Sequence, residues 1–273
     1  MLKDITIGQF FPGTSPIHRM DSRVKLLLTI AFIVMLFLAG NIYSLCVGVA
    51  FTILIYVISR IPFRMILKSL KPIMPIIIFT SILNLFFVRS GDVYWEWKFI
   101  KITSEGVNTA VFMSIRIICL IIGSSLLTYT TSPIDLTDGL ERLLSPLKKI
   151  KVPVHELAMM MTIALRFIPT LIEETDKIMS AQKARGADME TGSVFKRAKA
   201  LIPILIPLFV SSFRRAEELA LAMECRCYHG GEGRTRMKQL KMHLVDLIGA
   251  LVVAAFIAGV VVVNRLVSQG AAV

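Results

Sequence analysis

Two arginines stand among small residues at matching places in the chain, Ala184-Arg185-Gly186 and Cys225-Arg226-Cys227, 41 positions apart. A guanidinium stays charged at physiological pH, is planar, and can grip a carboxylate with two parallel hydrogen bonds. The match is wider than the triplets: Ala181-x-x-x-Arg185-Gly186 overlays Ala222-x-x-x-Arg226-Cys227. Each arginine also ends a helical pattern. Leu157, Met161, Ala164, Ile168, Leu171, Thr175 and Ile178 recur at i, i+3 and i+4, and Arg185 continues the row Leu171, Ile178. Arg226 continues the row Leu219, Met223, and Gly230-Gly231 follow it. Two apolar-faced helices, each tipped by an arginine, suggest a paired docking device. The plainer alternative is a solvated arginine complementing a helix C-terminus, to which Gly186 is suited.

Other residues that could do chemistry carry weaker signals. Cys225, Cys227 and His229 alternate, but helical positions i, i+2 and i+4 do not share a face and no fourth ligand is evident, so no metal site is expected. Asp135-Leu136-Thr137-Asp138 is half of an Asp-x-x-Asp metal motif, without the further acidic and basic elements a membrane phosphotransferase needs. Gly230-Gly231-Glu232-Gly233-Arg234-Thr235 lacks the lysine and spacing of a phosphate loop, so any ATP hydrolysis must come from other chains. Arg116 lies within an apolar run, where an arginine must face protein or water. It is expected either to pair inside a helix bundle, with a group such as Asn84, or to meet a membrane partner.

The elements that must hold these residues are membrane helices. Of 273 residues, 55% are hydrophobic and only 18% charged, with a mean hydropathy of +0.71, against about 25% charge in soluble domains. That excludes a disordered chain and argues against a soluble globule. Leu26 to Ser59 holds no charged residue over 34 positions, which as one helix would far exceed a hydrocarbon core of ~30 Å. It reads as two spans joined by a turn at Gly40-Asn41, both of which tolerate positive φ. Further spans are expected near Ile73–Val88, Val107–Thr128 and Leu244–Val263, five in all. Between the third and fourth spans, residues 93–102 alternate with period two, as in a short strand or hairpin, and Trp95 and Trp97 fit an interfacial aromatic belt.

Charge sets the orientation. Lys+Arg total 31 against 19 Asp+Glu, a formal net charge of +12. Lys3, Arg19, Arg23 and Lys25 precede the first span; Arg60, Arg64, Lys68 and Lys71 separate the second from the third. Ser132 to His243 carries 18 Lys/Arg and 13 Asp/Glu. The positive-inside rule then puts the N-terminus and this long segment in the cytoplasm and the C-terminus outside. Such charge belongs to loops and not to an aromatic-studded soluble face, so no nucleic-acid partner is expected. The first 23 residues offer no apolar signal-peptide core, and Cys46, Cys119, Cys225 and Cys227 form no paired extracellular framework.

The chain therefore divides into a membrane part (1–131), a cytosolic part (132–243) and a last span (244–273). Within the middle part, Leu157–Leu165 spans nine residues before Arg166, and Leu201–Phe213 is interrupted by Pro203 and Pro207. Both are expected to be too short to cross a bilayer. A third helix should start at Ser132-Pro133-Ile134-Asp135, with serine as cap and proline in the first turn, and stop at Ser145-Pro146. Asp246, at the edge of the last span, is expected to stay solvated.

Nearly the whole chain resembles the transmembrane T component of energy-coupling factor (ECF) transporters, a branch of the ATP-binding-cassette importers. The likeness is carried by residues 15–25 (SPIHRMDSRVK), Thr130-Thr131-Ser132-Pro133, Ser145-Pro146-Leu147, Ala164-Leu165-Arg166-Phe167-Ile168-Pro169 and Ala181-Gln182-Lys183-Ala184-Arg185-Gly186. The resemblance implies an all-α, multi-pass protein of a prokaryotic plasma membrane, with about five spans and cytosolic coupling helices. It implies partnership with two ABC-type ATPase subunits, which hold ATP and Mg, and with a membrane-embedded substrate-binding S subunit. In that family two Ala-Arg-Gly-like motifs end the coupling helices and each arginine enters one ATPase. Here the first is intact and the second reads Cys225-Arg226-Cys227. No cofactor is expected on this chain itself. Service to several vitamin S subunits is the favoured expectation. The alternatives are a dedicated cobalt, nickel or biotin importer, a membrane-embedded enzyme, or an autonomous carrier.

Overall fold

Asn41 shows how the long uncharged run is divided. The computed structural model describes residues 10–88, 90, 92–97, 100–187, 193–231 and 242–270. In it α1 is Pro16–Arg19, α2 is Ser22–Leu38 and α3 is Ile42–Ser59. The break falls at Gly40-Asn41 as expected, but neither residue takes a positive φ. Asn41 is extended, at φ −125°. Its N–H donates to Ser44 Oγ (3.1 Å), and the Ser44 hydroxyl donates back to the Asn41 carbonyl (2.7 Å). The turn needs a side chain to start the next helix rather than an unusual backbone.

Two compact units follow, each described by itself: Gly8–Gly139 with Leu240–Val273, and Leu140–Gln239. In the first, α2 and α3 pack with α6 (Ser104–Thr130) and α10 (Leu244–Gly270). Their core is Phe32, Met35, Leu36, Leu45, Phe51, Cys119, Val253 and Val260. Phe51 sits between Phe32 and Phe256, with ring centroids 5.8 and 4.6 Å away. Gly123 lets α6 close on α2: a Cβ there would lie 2.1 Å from Phe32 Cε1, so a small residue permits the approach.

The third expected span is bent. α4 (Phe63–Leu70) and α5 (Met74–Phe87) meet at 59° around Lys71-Pro72-Ile73, because proline removes a helical donor and crowds the preceding turn. Next, β1 (Val93–Trp97) pairs antiparallel with β2 (Ile100–Thr103), the hairpin that the alternation predicts. The side chains of Trp95 and Trp97 lie outside the described part. Thr103 closes the hairpin onto α6: its hydroxyl donates to the Val88 carbonyl (2.9 Å) and accepts from Gly106 N–H (3.2 Å).

The second unit contains the end of α7 (Pro133–Leu144), a 3-10 segment (Ser145–Ile150), α8 (Val154–Ala184) and α9 (Val194–Glu224). α7 starts as predicted. Ser132 Oγ accepts from Asp135 N–H (3.1 Å) and donates to the Asp135 carboxylate (2.7 Å), which accounts for Asp135 as a helix start. Two expectations are corrected here. The run Leu157–Leu165 continues, as the apolar stripe predicts, into a 31-residue helix, but it is not too short to cross, since residues Val154–Leu171 include only Glu156 and Arg166 as charged groups. On length and composition α8 could cross a membrane, together with α3, α6, α10 and, as one span, the bent pair α4–α5. α2, at 17 residues, is ~26 Å long, slightly short of a full core. The second correction concerns Pro203 and Pro207, which do not break their helix; α9 runs through both, from Val194 to Glu224. Pro207 has no N–H for the Pro203 carbonyl, and Gln182 Nε2 of α8 approaches that oxygen instead, at 3.5 Å. The chain is thus an all-α polytopic membrane protein with one small hairpin.

Candidate functional site

α8 and α9 end in the same way. After α8, Gly186 N–H donates to the Lys183 carbonyl (3.0 Å) and Ala187 N–H to Gln182 (3.0 Å). After α9, Cys227 N–H donates to the Glu224 carbonyl (2.9 Å) and Tyr228 N–H to Met223 (3.0 Å). Each pair is a Schellman cap, which satisfies orphan carbonyls by turning one residue into the left-handed region. That residue is Gly186, at φ 83°, in one cap and Cys227, at φ 54°, in the other. Arg185 and Arg226 precede these residues as the last members of their helices' terminal turns, and both are exposed. Ala184 and Cys225 come next, likewise exposed. Among the described residues, neither arginine's guanidinium makes a hydrogen bond or ion pair, leaving ten N–H donors for the two groups to offer elsewhere.

Further back, the two helices are pinned together. Arg215 Nη2 of α9 meets Glu174 Oε2 of α8 at 2.7 Å. Apolar side chains remain uncovered along α9, where Ile202, Ile206, Phe209, Val210 and Phe213 are all exposed. Their spacing makes one stripe of the helix. Cys225, Cys227 and His229 lie in and after the terminal turn, with both thiols free and exposed.

Arg116 is placed inside the first unit. Its Nη2 donates to the Ala39 carbonyl at the end of α2, and its guanidinium carbon stands 4.5 Å from the centre of the Phe112 ring. The expected partner Asn84 does not take that role. Ala39 and its neighbour Leu38 explain why: they expose helix-end carbonyls at the α2–α3 turn, and in a membrane such groups need internal donors. Asn264 of α10 supplies the second one, donating Nδ2 to the Leu38 carbonyl (2.6 Å) and accepting Gly40 N–H (3.3 Å). Arg116 and Asn264 together satisfy the turn.

Residues 15–25 fold into a polar hub that residue counting did not reveal. Asp246 is only 3% exposed, not solvated: Oδ1 accepts Asp21 N–H (2.8 Å) and Oδ2 accepts His243 N–H (2.7 Å). Asp21 in turn accepts Arg23 N–H and grips its guanidinium at 2.7 Å. Lys25 Nζ donates to the carbonyls of His18 (3.1 Å) and Thr130 (2.9 Å), the latter at the end of α6. His18 Nε2 reaches the Phe11 carbonyl (3.1 Å) and Nδ1 the Ser15 hydroxyl (2.7 Å). Burial lowers the His18 pKa from its ordinary value, and the Lys25 charge adds to this against the opposing pull of the Phe11 carbonyl. The one available signal was position: Asp246 falls in the first turn of α10, where a carboxylate caps free N–H groups.

The comparisons with known proteins agree with this architecture. A family model described as CbiQ, cobalt transport protein, matches residues 13–237. An energy-coupling factor transporter transmembrane protein EcfT from Ruminiclostridium cellulolyticum is 53% identical over 264 residues, covering 97% of this chain and 98% of the relative. The protein of the same name from Clostridium kluyveri is 56% identical over 252 residues, covering 92% and 93% of the two chains. That from Bacillus subtilis is 50% identical over 240 residues, covering 88% and 91%. With matches that run almost from end to end, the chain belongs to the CbiQ/EcfT family of transmembrane components of energy-coupling factor transporters.

Proposed function

We propose that this chain is the mechanical link of an importer, joining two cytosolic ABC-type ATPase subunits to a membrane-embedded S subunit that carries the substrate. The observation that carries the reading is the pair of matching caps, each presenting an exposed arginine. A guanidinium held at a rigid helix end can enter a carboxylate-lined cleft on another protein, and two such ends fit two copies of a motor. ATP and Mg would reside on those motors. Closing and opening of the ATPases would then shift α8 and α9, and their uncovered apolar faces could slide against the S subunit, since apolar contacts impose no fixed hydrogen-bond register. Ala184, Gly186, Cys225 and Cys227 would line the contact with the motors beside Arg185 and Arg226. Charge distribution supports a cytoplasmic N-terminus and an outer C-terminus in a prokaryotic plasma membrane.

Sharing among several S subunits is proposed because the relatives' names specify no single substrate. The deciding experiment is purification in mild detergent followed by reconstitution. Two ATPases and more than one kind of S subunit should co-elute, and uptake into liposomes should require ATP. Uptake by this chain alone would overturn the reading, and a single S partner would replace the shared role with a dedicated one.

A further inference from the structure

Three elements of the second unit meet at one imidazole. His155, in the first turn of α8, places Nδ1 3.1 Å from Glu141 Oε1 near the end of α7. Its Nε2 lies 3.4 Å from the Tyr228 hydroxyl, just beyond α9. Gly231 presses on the same ring, since a Cβ there would stand 2.3 Å from His155 Cδ2. The side chains of His155 and Glu141 are 27% and 11% exposed. The Glu141 carboxylate accepts, so Nδ1 is the donor on that side, and in the neutral ring Nε2 accepts the tyrosine proton.

Tyr228 is also the residue whose N–H closes the α9 cap on the Met223 carbonyl. The residue at that place in the α8 cap is Ala187, which offers only a methyl group. At this position of the cap, one helix end carries a side chain that reaches another element and the other does not. We infer that His155 is a positioning residue for Arg226: through Tyr228 it fixes the second arginine tip to the start of α8 and the end of α7, and the two tips are mechanically unequal. The inference rests on the coupling role proposed above for the arginines. A tip that must transmit a push from a motor subunit needs an anchor behind it; an unanchored cap opens locally and absorbs the displacement instead.

The test uses the whole complex with its ATPase and S subunits, comparing His155→Ala, Tyr228→Phe, their double variant and Arg226→Ala. Amide hydrogen exchange reads the caps. In both single variants the Cys227 and Tyr228 amides should exchange about fivefold faster, as expected for losing one supporting hydrogen bond, while those of Gly186 and Ala187 keep their rates. Substrate transported per ATP hydrolysed should fall in both, with both ATPases still bound, and the double variant should be no worse than either single one. A fold defect would instead lower transport and hydrolysis in proportion. Tyr228→Phe removes one oxygen and keeps the test valid should His155→Ala fail to fold. Equal exchange at the two tips, or an unchanged transport ratio in Tyr228→Phe, overturns the anchor while leaving an Arg226→Ala defect to stand for the coupling role. An unchanged ratio in Arg226→Ala overturns the coupling role and the anchor with it.

Discussion

Glu174 and Arg215, joined at 2.7 Å, are equivalent residues of two helical arms. Each lies 11 positions before a capped arginine, Glu174 before Arg185 and Arg215 before Arg226. The ion pair therefore marks a crossing point from which both arms run about 16 Å to their tips. The arms are equal in length from this pivot, so any mechanical difference between the tips comes from what anchors each end.

The pivot should be modest in energy and specific in register. Both side chains are partly exposed, so losing the pair in Arg215→Glu should cost about 0.5–1 kcal/mol. The reversed pair Glu174→Arg/Arg215→Glu should recover most of that loss. A double-mutant cycle on thermal unfolding checks it, and an additive result would show that the contact contributes nothing.

Reversing charge at the tips should leave membrane insertion intact. Removing one partner of a buried ion pair costs ~2–5 kcal/mol at protein interfaces. Arg185→Glu and Arg226→Glu should each lose ATP-driven uptake, and the double variant should no longer retain ATPases on purification. Normal uptake by the double variant would refute the docking role.

Cys227 occupies the left-handed region at φ 54°, which is strained for a residue with a Cβ. Cys227→Gly should stabilise the α9 cap by roughly 1 kcal/mol, and Gly186→Val should destabilise the α8 cap by a similar or larger amount. The amide exchange rates of Tyr228 and Ala187 report the two effects separately.

Arg116 should be structural. In Arg116→Met the Ala39 carbonyl loses its donor, which should cost about 1–3 kcal/mol, read as a lower unfolding temperature in detergent or bilayer. Arg116→Gln, which keeps an N–H donor, should lose less. Equal stability of Arg116→Met and the parent protein would remove the capping role.

His18 makes stability depend on pH. Its folded pKa lies below the ordinary 6.5, so the folded state binds fewer protons than the unfolded chain in the interval between the two values. The contribution is complete above pH 6.5 and is lost as pH falls through the lowered folded value. Protonation would also turn Nδ1 into a donor and end its acceptance of the Ser15 hydroxyl. Unfolding temperature should therefore drop more steeply on acidification in the parent protein than in His18→Ala, and parallel curves would exclude His18 as the cause.

Local pattern determined much of this protein. Unbroken apolar runs announce membrane helices because a bilayer accepts little else; the 3.6-residue stripe fixes α8; Ser132 and Asp135 start α7; Gly186 ends α8, and the repeat at a spacing of 41 already pairs Arg185 with Arg226. What tertiary structure alone decided is how polar groups far apart in sequence satisfy one another. Asp246 meets Asp21 across 225 positions, Lys25 reaches Thr130 across 105, and Arg116 reaches Ala39 across 77. Nothing in local spacing encodes such partners, because each buried donor takes whichever acceptor the packing leaves unpaired. The continuity of α9 through Pro203 and Pro207, and the grip of His155 on Tyr228, belong to the same class: they exist because a neighbouring element is there to supply the contact.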